Sequence, residues 1–157
     1  MSSFNVKENP AICALPWIHE YKTISGNTAP CCQGDEFLEG ETIAGIREAM
    51  LKGVQPRVCN SCYKTELESG WSPRIQETND WVSKFGEPDI HNPALQFVDV
   101  RYDPTCNLKC KTCGPSSSTL WQKEKGVKIT VNKANENYLN GVDKKILKKV
   151  YLAGGEP

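Results

Sequence analysis

The sequence predicts an α/β fold with parallel βα packing, preceded by a small cysteine-rich α+β segment, and three observations support this. Residues 95–102 and 150–153 have the apolar density of buried strands, and helix signals lie between them, so the order is strand, helix, strand. Upstream, a β-branched stretch with turn residues precedes three helical segments. Eight cysteines divide into five within the first 62 residues and three between 106 and 113.

Trp17 to Ile24 reads as a strand, Ser25-Gly26-Asn27 supplies turn chemistry, and Thr28 to Cys32 returns, forming a hairpin that bears cysteines. Ile43, Ile46, Met50 and Leu51 recur at helical spacing, with Thr42 placed to cap the start and Gly53 the end. Pro56 stops that helix and the Cys59-Asn60-Ser61-Cys62 knuckle follows. A second helix covers Tyr63 to Ser69 and ends near Gly70, and a third runs from Pro73 towards Phe85. Gly86 to Pro93 holds Pro88 and Pro93 and few apolar residues, which marks a boundary and divides the chain into 1–88 and 89–157. Leu95, Phe97, Val98 and Val100 then build a buried strand. Ser116 to Ser118 offer N-caps for a helix carrying Leu120 and Trp121, Asp143 to Lys149 predicts a further helix, and Val150 to Ala153 a second strand.

A length of 157 residues allows one ordinary domain or two small ones and excludes a large complete enzyme barrel. At 38% hydrophobic and 24% charged the composition is that of a soluble globular chain. Nineteen Lys+Arg against nineteen Asp+Glu remove the electrostatic reason to expect nucleic acid or an anionic membrane as partner. No stretch approaches the ~18 apolar residues of a membrane span, and Met1 to Asn9 lack the apolar core of a signal peptide. The expectation is a cytoplasmic protein with no nucleic-acid and no membrane partner, whose lysine-rich stretches 123–128 and 144–149 are solvated faces.

Cysteine at about 5% is roughly half the density of a disulfide scaffold, so in a reducing compartment the thiols read as metal ligands. Cys106, Cys110 and Cys113 are spaced Cys-x3-Cys-x2-Cys in the loop after a strand. Four thiolates close a zinc or iron–sulfur site, whereas three leave one metal position open. The second strand ends in Leu152-Ala153-Gly154-Gly155-Glu156-Pro157, where glycines let the backbone approach a ligand and a carboxylate can accept from an ammonium group.

Together these residues closely resemble the radical S-adenosylmethionine (radical SAM) enzymes, which carry this cysteine spacing after the first barrel strand and a Gly-Gly-Glu-Pro after the second. The resemblance implies the first two βα units of a partial TIM-like barrel. It implies that Cys106, Cys110 and Cys113 hold three irons of a 4Fe-4S cluster, that the fourth iron chelates S-adenosylmethionine, and that Gly154, Gly155 and Glu156 line its amino end. One electron from the cluster would cleave the sulfonium to methionine and a 5'-deoxyadenosyl radical, which abstracts a substrate hydrogen. Thr112 stands where many members place an aromatic residue near the adenine. A zinc knuckle on Cys110 and Cys113 is the alternative for this loop.

Cys13 and Cys31 frame Gly26 with twelve residues before the glycine and four after it, and Cys59-x2-Cys62 adds a pair. This resembles the front half of the auxiliary cluster domains of radical SAM enzymes, the SPASM or shorter twitch domains, as do Cys13 to Trp17, Pro30-Cys31-Cys32 and, after the knuckle, Glu66, Gly70, Ser72 and Arg74. The implied ligand set is Cys13, Cys31, Cys59 and Cys62, holding a second 4Fe-4S cluster, with Cys32 outside it. Structural zinc suits the same spacing. The commoner arrangement places such a domain after the barrel.

Residues 95–157 contain two barrel strands and cannot close a barrel, so the expectation is the N-terminal part of a longer enzyme, or half of a split one completed by a second chain. Contacts to the ribose, most of the adenine and the substrate would come from further strands. The implied partners are an electron donor such as a flavodoxin or ferredoxin and a peptide or protein substrate. The competing reading is a noncatalytic module, either an iron–sulfur electron-transfer protein or a zinc-binding interaction domain. His19 and His91 read as surface or hydrogen-bonded histidines, Trp17, Trp71, Trp81 and Trp121 as core or interface residues, and Asp99 and Asp103, which flank the first barrel strand and could reach a substrate or cap turns, stay outside the site.

Overall fold

The computed structural model of the chain describes residues 3–23, 26–100, 104–130 and 139–153. Pro16 opens a single helical turn, α1 (Leu15–Ile18), because its fixed φ suits a helix start. The expected strand from Trp17 is therefore corrected: β1 (His19–Lys22) begins two residues later, and Trp17 and Ile18 turn into the core. β2 (Thr28–Ala29) pairs antiparallel with β1, Tyr21 opposite Ala29, as the expected hairpin does; Ile24 and Ser25 lie outside the described residues.

The helices follow their capping residues. α2 (Ile43–Leu51) starts at Thr42, whose side chain accepts from the Gly45 N–H at 3.1 Å. α3 (Asn60–Ser69) takes in the second half of the cysteine knuckle and ends at Gly70, where φ of 70° demands glycine. Ser72 caps α4 (Pro73–Phe85) by accepting from the Ile75 N–H at 3.3 Å, and Pro73 occupies its first turn. After β3 (Phe97–Val100), Ser118 alone of the three candidate serines caps α5 (Thr119–Lys125), and β4 (Lys149–Leu152) follows.

The strands form one four-stranded, mostly parallel sheet in the order β2-β1-β3-β4, so the fold is mixed α/β. β3 is parallel to both neighbours: His19 lies opposite Phe97, and Phe97 opposite Lys149. The sheet crosses the expected boundary at 88, since β1 lies before it and β3 after. The Gln96 N–H donates to the Ile18 carbonyl at 2.8 Å, extending the contact.

The helix expected over Asp143 to Lys149 is not formed. Asp143 Oδ1 accepts from the Lys145 N–H at 2.9 Å and closes one turn, and the amides of Lys148 and Lys149 donate to the Gln96 carbonyl at 2.7 and 3.0 Å. Pairing with β3 thus pulls the chain straight.

Strand alternation gives the sheet two faces. Val98 and Val100 pack with Val142, Leu95, Leu139 and Leu147 on one side. On the other, Phe97 joins the main core of Ile12, Trp17, Ile18, Ile46, Met50, Val58 and Trp81. Trp17 packs edge-on to Phe4 at 5.2 Å and donates its indole N–H to the Ile90 carbonyl. Trp71, expected in the core or at an interface, is not in the core: it follows the Gly70 cap and is 50% exposed. Among the described residues no helix is long and apolar enough to cross a membrane.

Candidate metal centre

Cys13, Cys31, Cys59 and Cys62 line one cavity of about 330 Å³. The set that the resemblance implies is therefore brought together, although its members come from three separate segments of the chain. Cys13 precedes α1, Cys31 follows β2, Cys59 is the N-cap of α3 and Cys62 lies in that helix's first turn. Cys32, expected outside the set, reaches the same cavity but is exposed.

Side chains of α3 and α4 hold the irregular segment that presents Cys13. The Tyr63 hydroxyl donates to the Ala11 carbonyl at 2.7 Å, Arg74 to the Ile12 carbonyl, and the Ala14 N–H donates to Thr78 Oγ1 at 3.1 Å. Gly34 sits behind Cys31, where a Cβ would come within 2.6 Å of Pro30 Cγ and 3.1 Å of the Val58 carbonyl oxygen. The turn around Cys31 thus needs glycine there.

Burial dominates the chemistry of these thiols. It pushes Cys13 and Cys59 up to about 12 from the ordinary 9.0, and raises Cys31 and Cys62 as well. Repulsion among the thiols adds to this, Cys13 with Cys59 and Cys31 with Cys62. Opposing it, the Leu15 N–H donates to the Cys13 sulfur, the Gln33 N–H to Cys31, and the Arg74 N–H to Cys62. The N-terminus of α3 also favours negative charge at Cys59 and Cys62. Without a metal the four remain protonated thiols, and a soft metal would displace the protons.

The opposite wall is one face of the sheet with α4: His19, Phe97, Asp99, Lys149, Tyr151 and Glu77. His19 is buried, stacks on Phe97 at 4.3 Å, and is hydrogen-bonded through Nδ1 to the Phe97 carbonyl at 3.0 Å. The hydrogen bond is therefore donated by Nδ1–H, and burial holds the ring below the usual histidine range. Lys149 Nζ pairs with Glu77 Oε2 at 2.7 Å. Sequence reasoning set aside His19 and Asp99 and gave Glu77 and Lys149 no site role; only the register of β1, β3 and β4 puts His19, Asp99 and Lys149 on one face, and only the packing of α4 brings Glu77 to it.

Cys106, Cys110 and Cys113 do not line this cavity. They stand on the loop between β3 and α5, Cys106 partly buried and the other two exposed. The start of α5 braces that loop. Cys106 N–H donates to Thr119 Oγ1 at 3.2 Å, Ser118 Oγ to the Leu108 carbonyl at 2.7 Å, and the Trp121 indole to the Cys110 carbonyl at 3.1 Å. Lys109 pairs with Glu124 across it. Gly154, Gly155 and Glu156, like Asp103, lie outside the described residues. The Ala153 N–H, just before them, donates to the Val100 carbonyl at 3.0 Å, so β4 ends beside the end of β3 from which the cysteine loop departs.

Among the described residues no three His, Cys, Asp or Glu side chains are gathered tightly enough to hold a single metal ion. A zinc ion at Zn–S of about 2.3 Å would draw four sulfurs to within about 4 Å of one another. The four thiols, Cys13 and Cys62 buried and Cys31 and Cys59 half-buried, line the cavity, and thiolate sets of this kind bind zinc or an iron–sulfur cluster. Comparison with protein-family models, with curated proteins and with solved structures gives no match for this chain.

Proposed function

We propose that this chain is part of a radical SAM enzyme with an auxiliary 4Fe-4S site ahead of its barrel strands. The observation that carries the reading is the segregation of the cysteines: four line one cavity, and three stand on a separate loop at the C-terminal end of a parallel strand. In parallel βα architecture that end is where reactive sites are built. Cys106, Cys110 and Cys113 would hold the first cluster, with Gly154, Gly155 and Glu156 at the amino end of S-adenosylmethionine. Cys13, Cys31, Cys59 and Cys62 would hold the second. When bound, the first cluster supplies the electron for reductive cleavage of S-adenosylmethionine, and a flavodoxin- or ferredoxin-like donor would recharge it.

The chain's own part is to position and shield. Ser118, Thr119 and Trp121 fix the backbone of the three-cysteine loop, and the sheet face through Phe97, Asp99, Lys149 and Tyr151 runs from the four-cysteine cavity towards that end of β3. A peptide or protein substrate would approach from there. β4 is the last strand in the sheet order and its Leu152 is 71% exposed, so further strands, of this chain or a second one, would pair with it to continue the barrel.

Anaerobic reconstitution with iron and sulfide, metal analysis, and electron paramagnetic resonance of the reduced protein with and without S-adenosylmethionine test the reading. The expected outcome is about eight irons per chain for two cubanes. One signal should change on S-adenosylmethionine addition and vanish in a Cys106→Ala, Cys110→Ala, Cys113→Ala variant. Zinc in place of iron, or signals indifferent to S-adenosylmethionine in this chain and in a version extended past Pro157, would leave a noncatalytic electron-transfer or zinc-binding module.

A further inference from the structure

An ion pair, buried at Arg74 and half-buried at Glu66, lies against the four-cysteine cavity, and the proposed function does not use it. Arg74 is 3% exposed. Its Nη2 lies 2.6 Å from Glu66 Oε2 and its Nε 2.8 Å from Glu66 Oε1, a two-pronged contact, and Ser72 Oγ donates to Glu66 Oε1 at 2.5 Å. The guanidinium lies over the Tyr63 ring at 5.2 Å, and its Nη1 donates to the carbonyl of Ile12, the residue before Cys13. Desolvating two charges is costly, and apolar residues of similar volume would often serve stability as well. The placement points to a use: Arg74 lines the cavity, and its charge acts on Cys13, Cys59 and Cys62, while that of Glu66 acts on Cys62 in the opposite sense.

We propose that Arg74 and its counter-ion Glu66 set the reduction potential of the cluster held by Cys13, Cys31, Cys59 and Cys62, Arg74 raising it and Glu66 lowering it. The inference rests on the iron–sulfur reading of this site. Reduction adds one electron, taken from an external one-electron donor, and so one unit of negative charge to an already anionic group. A fixed cation stabilises the reduced form more than the oxidised one, and screening is weak where water is excluded. Arg74 is thus a positioning residue, acting through charge on a group it does not ligate.

The test is a redox titration, followed by electron paramagnetic resonance and with dithionite as reductant, of the full chain reconstituted with iron and sulfide. A Cys106→Ala, Cys110→Ala, Cys113→Ala background leaves one cluster to observe. At the potential where this parent is half reduced, Arg74→Gln should lower the reduced-to-oxidised ratio about tenfold, about 59 mV for one electron. Arg74→Lys, which keeps the charge, should stay within about twofold, and Glu66→Gln should raise the ratio. The Arg74→Gln, Glu66→Gln double variant leaves no unpaired ion and so guards against misfolding of the single ones. It should fall about threefold, because Arg74 acts on three of the cysteines. An unchanged ratio in the double variant, or shifts of the same sign in both single variants, would overturn the inference and leave Arg74 a brace for Ile12. A parent that takes up zinc, or no iron, at these cysteines would overturn the reading of the site itself.

Discussion

The Tyr63 hydroxyl donates to the Ala11 carbonyl oxygen at 2.7 Å, tying the residue after Cys62 to the segment that carries Cys13. Two ligand candidates far apart in sequence therefore share one buried strut. Tyr63→Phe keeps the ring and leaves that carbonyl without its donor, which should cost about 1–3 kcal/mol of stability in urea denaturation. Metal uptake at the four-cysteine site should fall with it, whereas an unchanged midpoint and full uptake would show the strut to be dispensable.

Alkaline pH should destabilise the metal-free chain. Burial raises Cys13 and Cys59 to about 12 from 9.0, so the folded state retains protons that the unfolded state releases first. The stability these groups contribute is complete below pH 9 and is lost as pH rises from there towards 12. Denaturant midpoints measured from pH 8 to 11 should fall, and fall less steeply in Cys13→Ala. Bound metal should flatten the curve, because thiolates on a metal have no proton to lose.

His19 produces the opposite limb. Its folded value is depressed by burial below 6.5, so the stability it contributes is present above pH 6.5 and lost as pH falls through its folded value. Its ring resonances in a nuclear magnetic resonance titration should show a midpoint below 6.5. A midpoint at or above 6.5 would contradict the buried, neutral ring.

Gly34→Ala should disturb the cavity without touching a thiol. The added Cβ meets the Pro30 ring and the Val58 carbonyl, so the turn holding Cys31 has to open, at a cost of about 1–3 kcal/mol. Thermal unfolding and iron uptake should both report it. Wild-type values in both would mean that the turn has room to spare.

Ser118→Ala should loosen the three-cysteine loop. The hydroxyl is buried, accepts from the Trp121 N–H at 3.3 Å and donates to the Leu108 carbonyl at 2.7 Å, so it both caps α5 and anchors the loop. A loss of about 1–2 kcal/mol is expected. Amide exchange should speed up at Trp121 and Cys113 while amides of α4 stay protected; a uniform change would point to global rather than local opening.

Several elements were legible because their signals are local. Thr42 and Ser118 cap helices they precede, Pro73 and Phe85 bound α4 as expected, and Gly70 ends α3 with the positive φ that glycine allows. Local signals also misled. Trp17 and Ile18 have strand character, yet Pro16 puts them in a helical turn, and the stretch from Asp143 was expected to be helical until it met the edge of β3.

The sequence by itself determined which side chains could do chemistry and how they group: five thiols within the first 62 residues and three after a strand. Only the tertiary structure decided that those four line one cavity, that β1 and β3 pair across more than seventy residues, and that Arg74, Glu77, His19 and Lys149 complete the walls. The reason is physical: capping and turn formation are settled within a few residues by hydrogen bonds to nearby backbone. Which strand pairs with which, and what a pleat then turns towards a cavity, depends on burying distant apolar faces together.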